Sequence, residues 1–252
     1  METIKQIIKN LEGEKLACEI NLPQSPNDKK PTIVILHAFT GKKENQTINY
    51  LAKNLPESGY ITLQFDFSGH GESEGKLEDA TVSKQLDDIQ SVLEQVKNIN
   101  STNLVLIGNS FSVISALAFA IINSNICGVI LISGRAKYLE YIESLEKVND
   151  MYKLFEDKFI NKDFVEDYKN YDPIKNIKKL SIPILIIHGD KDETVPVNNA
   201  YLLYESSLAN KKFLKIIKEA DHRYSNIKFK EEILYQIKKF LVDISVTSVA
   251  RT

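Results

Sequence analysis

Two cysteines, Cys18 and Cys127, are all that this chain of 252 residues contains. They form no C-x-x-C pair and have no histidine pair beside them, which excludes a disulfide framework and a cysteine-type zinc site and points to a reducing, cytoplasmic setting. Long apolar runs are missing as well. The N-terminal stretch METIKQIIKNLEGEKLACEI carries charges throughout, so neither a signal peptide nor a membrane span is expected. An excess of one charge is also lacking: 32 Lys and Arg stand against 34 Asp and Glu, a formal net charge of -2. Without a basic footprint, nucleic acid is not expected as a partner. There is no internal repeat and no low-complexity stretch. With 43% hydrophobic residues, a chain of this length can bury one sizeable core, so residues 1–252 are read as a single domain.

What is present is a series of short, near-continuous apolar runs: PTIVILHAF (31–39), YITLQFDF (60–67), TNLVLIGN (102–109), CGVILIS (127–133), IPILIIHGD (182–190) and KKFLKIIK (211–218). Runs of this kind are strands buried on both faces of a parallel sheet. Segments with helical spacing separate them, so the expected class is α/β with right-handed crossovers. The first twenty residues read as an antiparallel hairpin on the sheet edge, with Glu12, Gly13 and Glu14 at its tip. The segment 135–180 is too long for an ordinary connection and is expected to be an inserted helical cap. Its aromatics, among them Tyr138, Tyr141, Tyr152, Phe155 and Phe159, are expected to pack the cap onto the sheet rather than to form a substrate box. The tail after Asp243 carries no helical pattern and is expected to fray.

Two serines resemble the G-x-S-x-G turn that presents a nucleophile: Ser110 in GNSFS, and Ser73 in the unbroken match GESEG. A serine hydroxyl needs a base in reach and donors for the developing oxyanion, and it needs a strand–turn–helix setting to project it above the sheet. GNSFS lies between an apolar strand and an apolar helix; GESEG lies in a loop with Glu72 and Glu74 beside its serine and a charged segment after it. Ser110 is therefore the candidate nucleophile and Ser73 a residue of a flexible surface loop. Ser112 stands where the pattern has glycine, and its small side chain is expected to fit with a slight shift; if it displaces the helix, glycine there raises turnover.

Four histidines are available. His37 and His188 sit at strand ends and His70 in the loop SGHGES, whereas His222 follows the last strand at the carboxyl edge, where open parallel sheets bind ligands. His222 is the candidate general base. Its orienting acid is expected in the loop after the run IPILIIHGD, where Asp190, Asp192 and Glu193 all qualify by chemistry. The oxyanion donors are expected to be the backbone N–H groups of Phe111, next to the serine, and of Phe39 in HAFTG.

HAFTG, DFSGHGES, GNSFS, HGDKDETVP and ADH, in this order, resemble the α/β-hydrolase superfamily, and within it the small intracellular esterases of the cinnamoyl or feruloyl esterase type and the serine-aminopeptidase-like hydrolases. The resemblance implies an α/β-hydrolase fold with about eight strands. It implies Ser110 as nucleophile, Asp192 as acid, His222 as base, and Phe39 and Phe111 as oxyanion donors. Asp190 then stabilises its loop. No cofactor or metal is implied; the partner is a small-molecule ester, an aromatic acyl group being one candidate, and the oligomeric state is open between monomer and homodimer. The expected activity is that of a carboxylesterase-type serine hydrolase. A thioesterase or short-peptide hydrolase with the same triad, and a non-catalytic binder on the same fold, are the rival readings.

Overall fold

The computed structural model describes residues 1–25, 27, 29–96, 99–100, 102–149, 151–155 and 158–248. Strands β1 (Glu2–Lys9) and β2 (Lys15–Leu22) form the N-terminal hairpin. The chain then alternates: β3 (Thr32–Leu36), α1 (Gln46–Asn54), β4 (Thr62–Phe65), α2 (Val82–Gln95), β5 (Leu104–Asn109), α3 (Val113–Ile122) and β6 (Ile126–Ile132). An insertion of α4 (Tyr138–Glu143), β7 (Lys147–Val148), β8 (Met151–Phe155), β9 (Lys158–Asn161), α5 (Lys162–Tyr168) and α6 (Pro173–Ile177) follows. The chain returns through β10 (Ile184–Gly189), α7 (Asn198–Ser206), β11 (Lys212–Ile217) and α8 (Ile227–Ser248). The main sheet has eight strands in the order β1-β2-β4-β3-β5-β6-β10-β11. β1 and β2 pair antiparallel, as do β2 and β4, and all other neighbours are parallel. This is the α/β-hydrolase fold.

The apolar runs are continuous because both faces of the sheet are covered. Val34, Leu36, Leu104, Leu106, Leu131 and Ile186 share one core with α2, α3, α6 and α7. Their chain neighbours Ile33, Ile35, Val105, Ile107, Ile130 and Leu185 share the other with α1 and α8. Successive side chains of a strand point to opposite faces, so a strand packed on both sides has no polar alternation. Replacing one of these fully buried Leu or Ile side chains by Ala costs about 2–5 kcal/mol.

Two sequence expectations are corrected. The insertion is helical in α4, α5 and α6, but residues 147–161 contribute a three-stranded antiparallel sheet, β7-β8-β9. Tyr152 and Leu154, two residues apart, both pack on a third apolar cluster with Phe111, Tyr138 and Phe164, and that spacing belongs to a strand. The tail is the second case. Helix α8 continues to Ser248, beyond the point where the β-branched residues weaken its intrinsic propensity, because Ile244 is buried in the α8 core and packing overrides propensity. Residues 249–252 lie outside the described residues.

Candidate active site

All parallel strands end on the same edge of the sheet, and the loops that leave them bring the sequence candidates together. Ser110 follows β5 directly and has a φ of +55°, a left-handed conformation that costs a non-glycine residue about 1–3 kcal/mol. The sharp turn it makes needs smallness on either side. A Cβ on Gly108 would sit 2.9 Å from Ala116 Cβ, Ser112 O and Val113 Cα, so α3 packs against the end of β5 only because position 108 is bare. On the other side Ser112 is fully buried. Its hydroxyl donates to Leu36 O at 2.9 Å and accepts from Asn109 N at 2.9 Å. It does not merely fit in the place of glycine; it ties the turn to the end of β3.

His222 lies on the loop after β11, 3.2 Å from Ser110 Oγ through Nε2 and 2.7 Å from Asp192 Oδ2 through Nδ1. A carboxylate only accepts, so Nδ1 carries the proton and Nε2 is left to accept from the serine. Asp192, on the loop after β10, has no exposed side-chain surface. Its Oδ1 accepts from Thr194 N at 3.0 Å and Val195 N at 2.7 Å. Burial opposes ionisation of this carboxyl, but hydrogen bonds from His188, His222 and Val195 N–H outweigh it and hold Asp192 far below the ordinary carboxylate range.

The alternatives for the acid are elsewhere. Asp190 Oδ1 accepts from Glu219 N at 2.6 Å, which ties the β10 loop to the β11 loop, and Glu193 is exposed. Close approach of the same two loops depends on Gly189, where a Cβ would sit 2.1 Å from Ala220 O. Tyr224 supports the His222 loop from beneath, its hydroxyl 2.8 Å from Ser133 Oγ, and Thr47 Oγ1 donates to Arg223 O at 2.8 Å.

Sequence reasoning missed His188. It lies inside β10, fully buried, with Nε2 2.7 Å from Val195 O and 3.2 Å from Asp192 Oδ2. Nε2 therefore carries its proton, and Asp192 receives imidazole N–H groups from two sides. Nδ1 of His188 has no hydrogen-bond partner among the described residues.

The rings of Phe39 and Phe111 lie in tilted contact beside the site, with centroids 5.1 Å apart. Phe39 N donates to no protein acceptor among the described residues, and Phe111 N belongs to the first turn of a helical segment, where N–H groups have no intrahelical partner. The loop carrying Phe39 is fastened by Lys43, whose backbone N lies 2.6 Å from Asp66 Oδ1 and whose Nζ lies 2.8 Å from Asp66 Oδ2. Lys43 also pairs with Glu44 and Glu72. Burial works against its charge, and the bonds to Asp66, Glu72 and Glu44 overcome that and push its pKa up. His37 supports the same loop, with Nδ1 donating to Ala38 O at 2.7 Å and Nε2 accepting from Phe67 N at 3.0 Å. Burial, aided by neighbouring His70 and Lys43, pushes its pKa down to about 3 and keeps it neutral.

Ser73 has a different role. Its Oγ donates to Asp66 O at 2.6 Å and accepts from Ala17 N at 3.0 Å, so GESEG is a fastened turn, not a flexible one. Above Ser110 opens a cavity of about 870 Å³, lined by Phe39, Phe111, Tyr138, Phe164 and His222 among others. Tyr138 and Tyr141 thus both pack the insertion and line the cavity; the Phe155 side chain lies outside the described residues. Among the described residues no group of three or more His, Cys, Asp or Glu side chains is arranged to hold a metal ion.

A family model described as Serine aminopeptidase, S33 matches residues 27–173. The chain belongs to the serine aminopeptidase S33 family of α/β-hydrolases. The matched range includes Phe39, Ser110 and Phe111, while Asp192 and His222 follow it. Among solved structures, Est1E from Butyrivibrio proteoclasticus with bound ferulic acid superimposes with a TM-score of 0.84 at 26% identity, covering 94% of this chain and 98% of that one. An Escherichia coli protein of 31.7 kDa encoded between traX and finO is 24% identical over 83% of this chain and 88% of its own length. The mitochondrial palmitoyl-protein thioesterase ABHD10 of Pongo abelii is 21% identical over 89% of this chain and 78% of its own. Among the described residues no helix is long and apolar enough to cross a membrane.

Proposed function

We propose that this S33-family protein is a serine hydrolase that cleaves carboxylic esters of small molecules through an acyl-enzyme. The observation that carries the reading is the relay Ser110 Oγ, His222 Nε2, His222 Nδ1, Asp192 Oδ2, with separations of 3.2 and 2.7 Å, at the floor of a cavity large enough for a substrate. Ser110 Oγ attacks the ester carbonyl carbon as His222 Nε2 takes its proton. Asp192 stabilises the imidazolium, and the N–H groups of Phe39 and Phe111 receive the oxyanion. Collapse breaks the bond to the alcohol, which leaves with the proton from His222. Water, deprotonated by the same nitrogen, then releases the acid and restores Ser110. The aromatic wall of Phe39, Phe111 and Phe164 supports an aromatic or otherwise apolar acyl group, in line with the ferulic acid held by Est1E. The two free cysteines fit a reducing compartment.

A thioester substrate is the second reading, favoured by the relative named as a palmitoyl-protein thioesterase; the same groups serve both leaving atoms. Reaction with a fluorophosphonate probe followed by peptide mapping tests the proposal. An adduct on Ser110, with Ser110→Ala unreactive and turnover of a p-nitrophenyl ester lowered by roughly 10⁶, is expected. Turnover that survives Ser110→Ala and disappears in Ser73→Ala overturns it. Matched oxygen and sulfur esters separate the two leaving groups.

A further inference from the structure

The charge of the cavity does not follow from the charge of the chain. The chain is slightly acidic, yet the cavity above Ser110 is lined by Arg135, Lys158 and Arg223 and, among the described residues, by no aspartate or glutamate. Elsewhere cations are commonly engaged: Lys43, Lys53, Lys84 and Lys215 each hold a carboxylate. Arg135, Lys158 and Arg223 form no ion pair among the described residues, and the nearby Glu140 is taken by Lys137.

Arg135 is also held in position. It leaves β6 one turn before α4, its guanidinium carbon lies 4.2 Å from the ring centroid of Tyr141 and 5.7 Å from that of Tyr138, and its Nη2 donates to Thr194 O at 2.7 Å. Thr194 belongs to the loop whose N–H groups bind Asp192, so the guanidinium is registered to the reacting end of the site. One hydrogen bond occupies one of five N–H donors. The two tyrosine rings hold the guanidinium by contact without using its donors, and a planar fork with donors to spare matches a carboxylate or a phosphate. Lys158 on β9 and Arg223, next to His222, add exposed positive charge to the rim. A cleft of one sign draws oppositely charged ligands toward it.

We propose that Arg135, with Lys158 and Arg223 at the rim, forms an anion subsite, and that the substrate is an ester bearing a second anionic group, a carboxylate or a phosphate, away from the scissile bond. This rests on the ester-hydrolase reading above and gives its substrate class. The apolar wall of Phe39, Phe111 and Phe164 holds the segment between the two ends. The anionic group takes no part in bond breaking; it sets the register of the carbonyl against Ser110.

The test uses the p-nitrophenyl ester of pentanoic acid, the p-nitrophenyl hemiester of glutaric acid, and the corresponding ester ending in a phosphonate. The measured quantity is the ratio of kcat/KM for each anionic ester to that for the neutral one, which cancels any general loss in a variant. The wild type is expected to favour an anionic ester by about tenfold or more, as a charge-assisted bond allows, with the ratio falling as salt is raised. In Arg135→Gln the ratio drops toward one, Arg135→Lys restores part of it, and Lys158→Gln with Arg223→Gln lowers it without touching the contact between Arg135 and Tyr141. Which anion is preferred separates carboxylate from phosphate. A wild-type ratio of one or below, or a ratio that survives in all three variants, overturns the proposal. Calorimetric binding of the matching 4-nitroanilides to Ser110→Ala keeps the two readings apart. Tighter binding of the anionic anilide with no hydrolysis of any ester by the wild type sinks the hydrolase reading and leaves the subsite standing, whereas hydrolysis with equal binding does the reverse.

Discussion

Ser112 Oγ lies 2.9 Å from Leu36 O, 76 residues away in the chain. The bond joins the turn that carries Ser110 to the end of the strand that feeds the Phe39 loop, so the proposed nucleophile and one proposed oxyanion donor share a brace. Glycine at 112 would satisfy the turn and remove the brace. Ser112→Gly is expected to lose about 1–3 kcal/mol, the cost of leaving buried groups unpaired, and to lower kcat. Chemical denaturation and ester turnover check this; a variant as stable as the wild type with a higher kcat would favour the simple expectation that glycine suits the turn better.

Lys43 and Asp66 fasten the Phe39 loop from below. Either Lys43→Met or Asp66→Asn leaves a partner buried and is expected to cost about 3–5 kcal/mol. Because the loop carries Phe39 N–H, kcat should fall more than KM rises for a neutral ester, even at temperatures where both variants remain folded. Equal stability in urea, or unchanged kcat, counts against a positioning role.

Asp192 has its carboxyl held below the usual range in the folded chain. The folded state therefore binds fewer protons than the unfolded one when the unfolded group titrates, near pH 3.9 by ordinary values, to within about half a unit. Stability from this carboxylate is complete above that pH and is lost as the pH falls toward the folded value. Wild type and Asp192→Asn should thus differ most in stability between about pH 5 and 7 and converge below about pH 4. Urea unfolding across that range measures the gap, and a gap that stays constant down to pH 2 contradicts the assignment.

Gly189→Ala would place a methyl group against Ala220 O. The β10 and β11 loops must part to admit it, which overpacking values put at about 1–3 kcal/mol. Separation of the Asp192 and His222 loops should lower kcat and slow fluorophosphonate labelling of Ser110 together. Loss of stability with labelling at the wild-type rate would show that the loops move as a unit.

Much of the fold was legible because strands covered on both faces, such as VLI in β5, write themselves as apolar runs, and because the runs PTIVILHAF, TNLVLIGN and IPILIIHGD end at or just before residues of the candidate site. That Ser110, His222 and an acid from the β10 loop would meet followed from strand ends sharing an edge; that the acid is Asp192 rather than Asp190 or Glu193 came only from the resemblance to the α/β-hydrolases. Residues 147–161 were misread because their strands are two to five residues long and rich in Lys, so period two and period 3.6 fit almost equally; Asn149, with a φ of +55°, was the available turn signal. His188 could not be found from sequence, since a histidine inside a buried strand looks the same whether or not an aspartate folds back onto it. The roles of Ser112 and Lys43 were hidden for the same reason: their partners, Leu36 O and Asp66, are set by tertiary contact.

The insertion leaves the sheet after β6 and rejoins it at β10, and it supplies Tyr138, Tyr141, Leu154, Lys158 and Phe164 to the cavity wall. Ser110, Asp192 and His222 come from three other loops. Descendants of this chain can therefore rewrite one contiguous stretch, changing what the cavity admits, while the three residues proposed to break the bond are inherited untouched.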